Sequence, residues 1–200
     1  ISGRSWQGVL GIEWEPSLRY QLSVEGYYTD LDNLVVLDTR VAADSEAETS
    51  EEVFVSGGTG YATGVEVFLQ RRTGRLTGWI GYTLGWTRRQ FAEFNGGREY
   101  APKYDRRHDV SFVTSYRVGK WSFGANYVYG TGQAFTPASA RYTLRSPAIP
   151  DLQVEDLVLP ADKNSARLLP YHRMDVSVKR KFRLFGADAE AYVQVFNAYN

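Results

Sequence analysis

The chain has 200 residues, enough for a sizeable core, and its 23 basic and 23 acidic side chains cancel. The balanced total gives no sign of a nucleic-acid partner or an anionic lipid surface, and the absence of cysteine excludes a disulfide framework and a thiolate metal site. No apolar run approaches the roughly 18 residues that a membrane helix needs, whereas 14 Tyr, 5 Trp and 19 Gly favour a β architecture rich in aromatic side chains.

Eight segments alternate between apolar and polar side chains with a period of two residues, which is typical of β-strands. They are residues 6–14, 18–28, 64–72, 76–87, 107–118, 121–130, 173–182 and 189–196. Each is longer than an ordinary globular strand of about 5–6 residues. We therefore predict an all-β protein with about eight long strands.

The connections between these segments alternate in length. Short ones lie at residues 15–17, 73–75, 119–120 and 186–187, and long ones at about 31–60, 88–104 and 131–169. In an antiparallel meander, this order puts every tight turn at one end and every long loop at the other. That asymmetry is typical of transmembrane β-barrels of the bacterial outer membrane, with short periplasmic turns and long extracellular loops.

The alternation also predicts which side chains face lipid, because the apolar stripes end in aromatic residues, as they do in membrane barrels. At the loop end we expect Tyr28, Trp86, Tyr127 and Tyr129, and at the turn end Trp14, Tyr20, Tyr116 and Trp121. The charged set of opposite parity should then face the lumen: Arg107, Asp109, Arg173, Asp175, Lys179 and Glu190. Arg180 falls on the lipid side by parity, close to a turn, where its side chain can reach the interface.

Several stretches resemble the barrel of TonB-dependent outer-membrane receptors. One is the run from Tyr104 to Asp109, which overlaps the start of the fifth predicted strand; the others are residues 62–67, 78–84, 170–176 and 195–200. The resemblance implies a transmembrane receptor or transporter of the bacterial outer membrane. Its cargo would be a scarce nutrient of the siderophore, cobalamin, sugar or peptide class, and no cofactor, enzymatic activity or nucleic acid is implied.

Receptors of this family also carry an N-terminal plug domain, a segment that engages a TonB-type energy transducer, and a terminal aromatic strand. None of these is recognisable in the sequence, so the resemblance implies that residues 1–200 are a partial barrel, about eight of the family's twenty-two strands. The implied partners are outer-membrane lipid, the plug of the same chain with the transducer acting through it, and a small-molecule or oligomeric nutrient.

Two short runs of sequence resemble each other 66 residues apart, one from Arg107 to Ser111 and the other from Arg173 to Ser177. Each follows a long loop, and parity places Arg, Asp and Ser on the lumen face in both. With one strand between them, Arg107 and Asp109 should lie about 10 Å from Arg173 and Asp175 at a similar height. These four residues form either an ion-paired collar that faces the plug or the substrate path, or a network that only stabilises the wall, which we favour.

His108 and His172 could suggest catalysis or metal binding. Both share the lipid-side parity of their apolar neighbours, whereas the nearby hydroxyl of Ser111 has the opposite parity. A hydrolase would need these groups on one face, and two histidines without cysteine make a poor metal set. We expect an interfacial aromatic role for both, with no catalytic residue and no metal site.

Two of the long loops contain candidate binding segments. Residues 44–52 hold five carboxylates, which could attract a divalent cation, but no regular Asp-x-Asp-x-Asp-Gly spacing is present and a solvated loop is the favoured interpretation. The 131–169 loop contains four prolines, at 137, 147, 150 and 160. Loops of this length are usually functional or disordered, so this one is the candidate for cargo contact.

Three other interpretations stay open at this point. Eight strands can close into a complete small barrel with a structural or adhesive role, which requires the first and last strands to pair. A barrel-borne hydrolase would depend on His108 and His172. A soluble β-domain would also alternate, but it accounts for neither the alternating loop lengths nor the aromatic ends of the stripes.

Overall fold

The computed structural model describes residues 2–38, 54–143 and 156–199. Within these ranges, the long strands are β1 (Arg4–Ser17), β2 (Tyr20–Leu37), β3 (Phe54–Arg71), β4 (Leu76–Gln90), β5 (His108–Val118), β6 (Trp121–Gly130), β11 (Tyr171–Leu184) and β12 (Ala187–Val195). A single 3₁₀ turn spans Asn95–Gly97 between β4 and β5. Among the described residues, no helix is long and apolar enough to cross a membrane.

The long strands form one antiparallel sheet in the order β1-β2-β3-β4-β5-β6-β11-β12. Each strand pairs with its neighbour in the meander, and only the step from β6 to β11 passes over other strands. The prediction of an all-β antiparallel architecture with eight long strands is therefore confirmed.

The long connection after β6 contains four short strands that the sequence patterns did not reveal. β7 (Ala134–Phe135) pairs with β10 (Ala166–Arg167), and further out β8 (Ala138–Thr143) pairs with β9 (Asp156–Pro160). Both pairs are two-stranded sheets separate from the main sheet. The segment predicted as an irregular 131–169 loop is thus partly a β-ribbon.

The register gives the main sheet one continuous apolar face. Its aliphatic and aromatic members share the same side of the paired strands: Leu10, Ile12, Leu22, Val24, Val65, Val67, Leu69, Ile80, Leu84, Val110, Phe112, Phe123, Val176, Val178, Val193 and Val195. Several are strongly exposed, such as Leu10 at 81% and Ile12 at 72%. So large an exposed apolar surface marks a contact with lipid or protein rather than with water, and we call it the apolar face and its opposite the polar face.

The first turn lies three residues later than predicted. β1 continues through Pro16 to Ser17, and Leu18 and Arg19 form the turn before Tyr20, after an irregularity that follows Trp14. Proline has no N–H for the ladder, so it is tolerated at such an irregularity. Leu18, predicted as the first residue of the second strand, is instead an exposed turn residue.

The connection between β2 and β3 is shorter than the predicted 31–60. β2 extends to Leu37 and β3 begins at Phe54, with register shifts around Leu34. Asn33 has a positive φ of 53° four residues before the end of β2, as in a β-bulge. Asp30 and Asp32 occupy the apolar parity after Tyr28, and the bulge then shifts that parity, so the alternation predicts a strand that ends too early.

The main sheet is open at both edges within the described residues. β1 pairs only with β2, and β12 pairs only with β11. The pairing of first and last strands that a complete eight-stranded barrel requires is therefore not found. An open sheet with one apolar face is instead what a sector of a larger barrel presents.

Candidate functional site

Carboxylates occupy one row across the polar face. Glu25 lies directly opposite Glu66, and the same row continues through Thr83 to Asp109. A shallow concavity surrounds them, and its lining includes Ser23 and Ser111. Like charges directly opposite each other disfavour the sheet, and the negative potential of the row favours cationic groups on this side of the wall.

The second half of the predicted collar is a tight ion pair. Arg173 Nε donates to Asp175 Oδ1 at 2.7 Å and Arg173 Nη2 donates to Oδ2 at 2.9 Å, a bidentate geometry. Asp175 Oδ1 also accepts a hydrogen bond from the backbone N–H of Asn197 at 2.9 Å, and the Arg173 guanidinium lies 5.5 Å from the ring centre of Phe196. The pair therefore holds the segment after β12 against β11.

The first half of the predicted collar has different partners from those expected. Asp109 contacts Arg106, with its Oδ2 3.4 Å from Nη1. Arg107 lies outside β5, and its guanidinium is 4.5 Å from the ring centre of Trp86. The structure thus brings Arg173 and Asp175 together, but it does not bring Arg107 and Asp109 together.

The two halves do not lie at the similar height that the sequence predicts. Asp109 is level with Gly130 on β6, whereas Asp175 is level with Asn126. Four residues along a strand correspond to about 13 Å. The four residues therefore do not form one ring. Contact of either half with a plug or a cargo stays a prediction.

A buried carboxylate that the sequence did not single out as a site lies at the base of the loops. The Asp105 side chain is 1% exposed, and its Oδ1 accepts a hydrogen bond of 2.7 Å from the backbone N–H of Thr87. Its Oδ2 forms an ion pair with Arg167 and lies 3.9 Å from Nη1 of Arg88. Arg167 Nη1 also donates to the backbone oxygens of Asp105 at 2.9 Å and of Gly132 at 3.1 Å. We call Asp105, Arg88, Arg167 and Thr87 the rim network.

Further out, the β4–β5 and β6–β11 loops are joined by polar contacts. Asn95 Nδ2 donates to the backbone oxygen of Lys163 at 3.1 Å, and Lys163 N–H donates to Asn95 Oδ1 at 2.6 Å. Asn164 Nδ2 donates to the backbone oxygen of Ala101 at 2.8 Å. An exposed ion pair of 2.6 Å between Arg98 and Asp162 adds a further link. The two loops therefore form one assembly.

This assembly has a small aromatic core of its own. Phe91, Phe94 and Tyr100 are 2%, 4% and 6% exposed, and their ring centres are 5.9–6.5 Å apart. The loop ends of β2 and β3 pack against them with side chains that include Leu34 and Val55. We call these three rings the loop cluster. In the sequence, the loop cluster could have been inferred from three aromatic residues within ten positions of one long loop.

Both histidines lie on the apolar face, as their parity predicts. His108 Nδ1 is 2.9 Å from the hydroxyl of Tyr82, and His172 Nδ1 is 2.8 Å from the hydroxyl of Tyr199. Each imidazole also stacks on the ring of its tyrosine. Ser111 is on the polar face, so the arrangement contains no histidine–serine pair. Among the described residues, no group of three His, Cys, Asp or Glu side chains could hold a metal ion.

The acidic segment from Asp44 to Glu52 lies outside the described residues. The middle of the 131–169 connection, residues 144–155, does so as well. The described part of that connection contributes Arg167 to the rim network and Lys163 to the contacts with the β4–β5 loop. Its base is therefore fixed to the β4–β5 loop.

A family model described as TonB dependent receptor-like, beta-barrel matches residues 3–198. No curated protein sequence matches this chain significantly.

Solved structures share the fold at low sequence identity. The ferripyoverdine receptor of the outer membrane of Pseudomonas aeruginosa, bound to ferripyoverdine, is 15% identical with a TM-score of 0.59, and the match covers 98% of this chain and 23% of that chain. The FrpB iron transporter from Neisseria meningitidis (F3-3 variant) is 14% identical with a TM-score of 0.61, over 99% of this chain and 27% of that one. A complex of FpvAI with pyocin S2 gives 15% identity and a TM-score of 0.59.

The chain spans about a quarter of the length of these structures. The open sheet, its apolar face, the separation of turns from loops and the family match over nearly all residues agree with one another. The resemblance inferred from the sequence is confirmed, and the chain belongs to the family of TonB-dependent receptor-like β-barrels.

Proposed function

We propose that this chain is part of the wall, lumen lining and loops of an outer-membrane receptor that imports a scarce nutrient. In this proposal residues 1–200 are a partial barrel, whose plug and final strands belong to the rest of the protein. A TonB-type transducer acts on the plug, and the apolar face contacts outer-membrane lipid. The bacterial outer membrane is thus the proposed location.

The loop assembly is the observation that supports this function most directly. Two loops, joined by hydrogen bonds and packed on the loop cluster, form an ordered surface at the mouth of a wall whose inner side is polar. A preformed surface binds cargo without the entropic cost of ordering mobile loops. Cargo captured there would next meet the carboxylate row of Glu25, Glu66 and Asp109 on the polar face.

We propose an iron chelate as the first cargo to test. Two of the related structures are a receptor bound to ferripyoverdine and an iron transporter. Cobalamin, a sugar and a peptide are the other classes that the sequence resemblance implies.

We propose no enzymatic role. The imidazoles of His108 and His172 each contact a tyrosine on the apolar face, where lipid and not a hydrolysable cargo would lie. Replacing both histidines by Gln in the full-length protein should leave cargo uptake within about twofold. A loss of hydrolysis by detergent extracts of the same cells would contradict this.

The first experiment is fractionation of native cells with an antibody raised against residues 131–169. We expect an outer-membrane band several times larger than 22.6 kDa, the mass of this chain. A band near that mass would overturn the receptor and favour a small barrel, and a soluble band would overturn the membrane assignment.

The second experiment tests the role of the loops in the full-length protein. Deleting residues 138–160, which contain β8 and β9, leaves every pairing of the main sheet intact. We expect loss of TonB-dependent uptake of a labelled ferric chelate with normal folding, shown by heat-modifiable electrophoretic mobility. Two glycines inserted after Gly74, in a turn at the opposite end, are the matched control and should not affect uptake.

A further inference from the structure

The balanced charge of the chain hides a strongly basic turn end. The four hairpin ends, residues 13–22, 69–78, 115–124 and 179–190, contain ten Arg and Lys but only four Asp and Glu. The whole chain has no net charge. The turn end therefore carries six positive charges in excess, which the overall composition conceals.

The four acidic side chains at this end are already engaged. Arg72 pairs with Glu15 at 2.8 Å, Lys179 with Glu190 at 2.8 Å, and Arg183 with Asp188 at 3.4 Å. Glu13 accepts a hydrogen bond from Gln21. The remaining cations form no ion pair within the described part of the chain: Arg19, Arg71, Arg75, Arg117, Lys120, Arg180 and Lys181.

The junctions between neighbouring hairpins place these cations side by side. Backbone N–H groups donate from Arg72 to Arg19 at 2.8 Å, from Arg117 to Arg75 at 2.8 Å, and from Lys181 to Lys120 at 2.9 Å. Adjacent like charges in a sheet are unfavourable unless a counter-charge is present. At the second junction the described chain supplies none, whereas at the third Lys181 lies directly opposite Glu190, which also pairs with Lys179.

Two of the cations lie on the apolar face and stack on the aromatic residues that end it. Arg71 is directly opposite Tyr20, with its guanidinium 5.5 Å from the ring centre, and Arg180 is directly opposite Trp121 at 5.0 Å. Nε of Arg71 is buried and has no hydrogen-bond partner. A ring at the edge of an apolar band with a guanidinium upon it fits the boundary between acyl chains and phosphate groups.

We propose that the turn end binds the phosphate groups of anionic phospholipids, such as phosphatidylglycerol, in the membrane leaflet that contacts it. The inference rests on the proposed function, because it requires lipid against the apolar face. A membrane lipid fits better than a soluble acidic protein, because Arg71 and Arg180 lie on the same face as the apolar band. Their aromatic partners lie on that face as well.

The test uses the full-length protein in detergent, titrated with dioleoyl phosphatidylglycerol or dioleoyl phosphatidylcholine and followed by native mass spectrometry. We expect the wild-type protein to retain phosphatidylglycerol at least tenfold more tightly. The double variant Arg71→Gln/Arg180→Gln should lose about fivefold in affinity per cation removed, an effect that weakens in high salt. Lys120→Gln/Lys181→Gln removes charge at the same end, but Lys181 lies on the polar face opposite Glu190, so this variant should lose less affinity than the first.

The matched control is Lys103→Gln/Arg141→Gln, which removes two exposed cations at the loop end. It should retain the wild-type affinity, and heat-modifiable mobility should show that every variant folds. Equal binding of the two lipids, unchanged affinity in both turn-end variants, or an equal loss in the control would overturn the inference. Displacement by millimolar glycerol phosphate would assign the cations to a soluble phosphate and also overturn it.

The result can be separated from failure of the proposed function. A protein that fractionates with the outer membrane and imports cargo, yet shows no preference for the anionic lipid, would refute only this inference. A protein that fractionates elsewhere would refute the proposed function first.

Discussion

Among individual residues, Asp105 is the most demanding energetically. Its carboxylate is almost completely buried, and a buried charge is tolerated only when it is paired and hydrogen-bonded. Thr87 N–H and Arg167 satisfy it, and Arg167 comes from the loop 62 positions later in the chain. One side chain thus connects the β4–β5 and β6–β11 loops.

We expect Asp105→Asn to loosen the base of both loops. The amide preserves the size of the side chain but removes the negative charge that pairs with Arg167. This should cost about 2–3 kcal/mol of local stability. Hydrogen exchange of the full-length protein should speed up in residues 87–90 and 131–135. The control is Asp162→Asn, in an exposed pair with Arg98, which should change local stability by less than about 1 kcal/mol. Equal exchange in both variants would contradict this account.

Tyr100 has a buried hydroxyl without a hydrogen-bond partner. Replacing it by Phe removes the unsatisfied group and keeps the ring in the loop cluster, so Tyr100→Phe should stabilise the loop by about 1 kcal/mol. Proteolysis of the β4–β5 loop, measured on the full-length protein, should slow accordingly. Phe91→Ala is the contrasting variant, because it removes a buried ring and should speed cleavage. Faster cleavage in Tyr100→Phe would show that the hydroxyl has a partner.

Tyr100 also gives the loop assembly a dependence on alkaline pH. Burial raises the pKa of Tyr100 above its ordinary value, and the charge of Arg89 opposes this in part. In the open loop the hydroxyl loses its proton first, so the closed loop becomes less stable as pH rises above about 10. A fluorophore on Glu99→Cys should report opening in that range, and Tyr100→Phe should remove the dependence. Identical pH profiles with Tyr and with Phe at position 100 would refute a role for the Tyr100 hydroxyl.

At the scale of strands, the two faces of the sheet are built differently. On the polar face the ring of Tyr27 lies across β3 and β4, where a Cβ at Gly64 would come within 2.7 Å of its hydroxyl oxygen and one at Gly85 within 3.1 Å. Glycine in this row therefore makes room for an aromatic side chain on a neighbouring strand. On the apolar face, branched aliphatic residues lie opposite one another on neighbouring strands, as Val24 does opposite Val67.

We expect an arginine to be costly on the apolar face and tolerated on the polar face. Val67 and Thr83 lie one register step apart on neighbouring strands but on opposite faces. Val67→Arg places a charge against lipid in the apolar row between Val24 and Tyr82, at a cost of about 2–4 kcal/mol. Thr83→Arg lies beside Glu66 and Asp109 and should fold normally. The fraction with heat-modifiable mobility measures both, and equal folding would show that the apolar face does not meet lipid.

At the scale of the whole molecule, the sheet leaves one side of β1 and one side of β12 without a partner among the described residues. An exposed strand edge is prone to aggregation, and barrels avoid the problem by closure. The matched structures are about four times as long as this chain, which leaves length for the strands that would cover both edges.

Hydrogen exchange of the full-length protein should show both edges covered. About half of the N–H groups of an edge strand point away from its single partner and would exchange quickly if they were exposed to water. We expect those of residues 8–14 and 187–193 to exchange as slowly as those of β4, the internal control. Rapid exchange at alternate positions of either strand would contradict closure by further strands.

The sequence was sufficient for every feature that depends on local periodicity. Side chains alternate between faces in any strand, so residues such as Val67 and Glu66 could be assigned to opposite faces without knowledge of their partners. The alternation of short and long connections determined the antiparallel meander and the two ends of the sheet. Recognition of the barrel family needed no more than these patterns and a few short runs.

The tertiary structure alone decided which residues meet across the sheet and between the loops. A bulge at Asn33 and an irregularity after Trp14 shift the pairing without changing composition, so strand ends were misplaced. Asp109 faces Arg106 and not Arg107, and Asp105 meets Arg167 from another loop. Such contacts depend on register and on chain paths many residues apart, and neither is encoded in a local pattern.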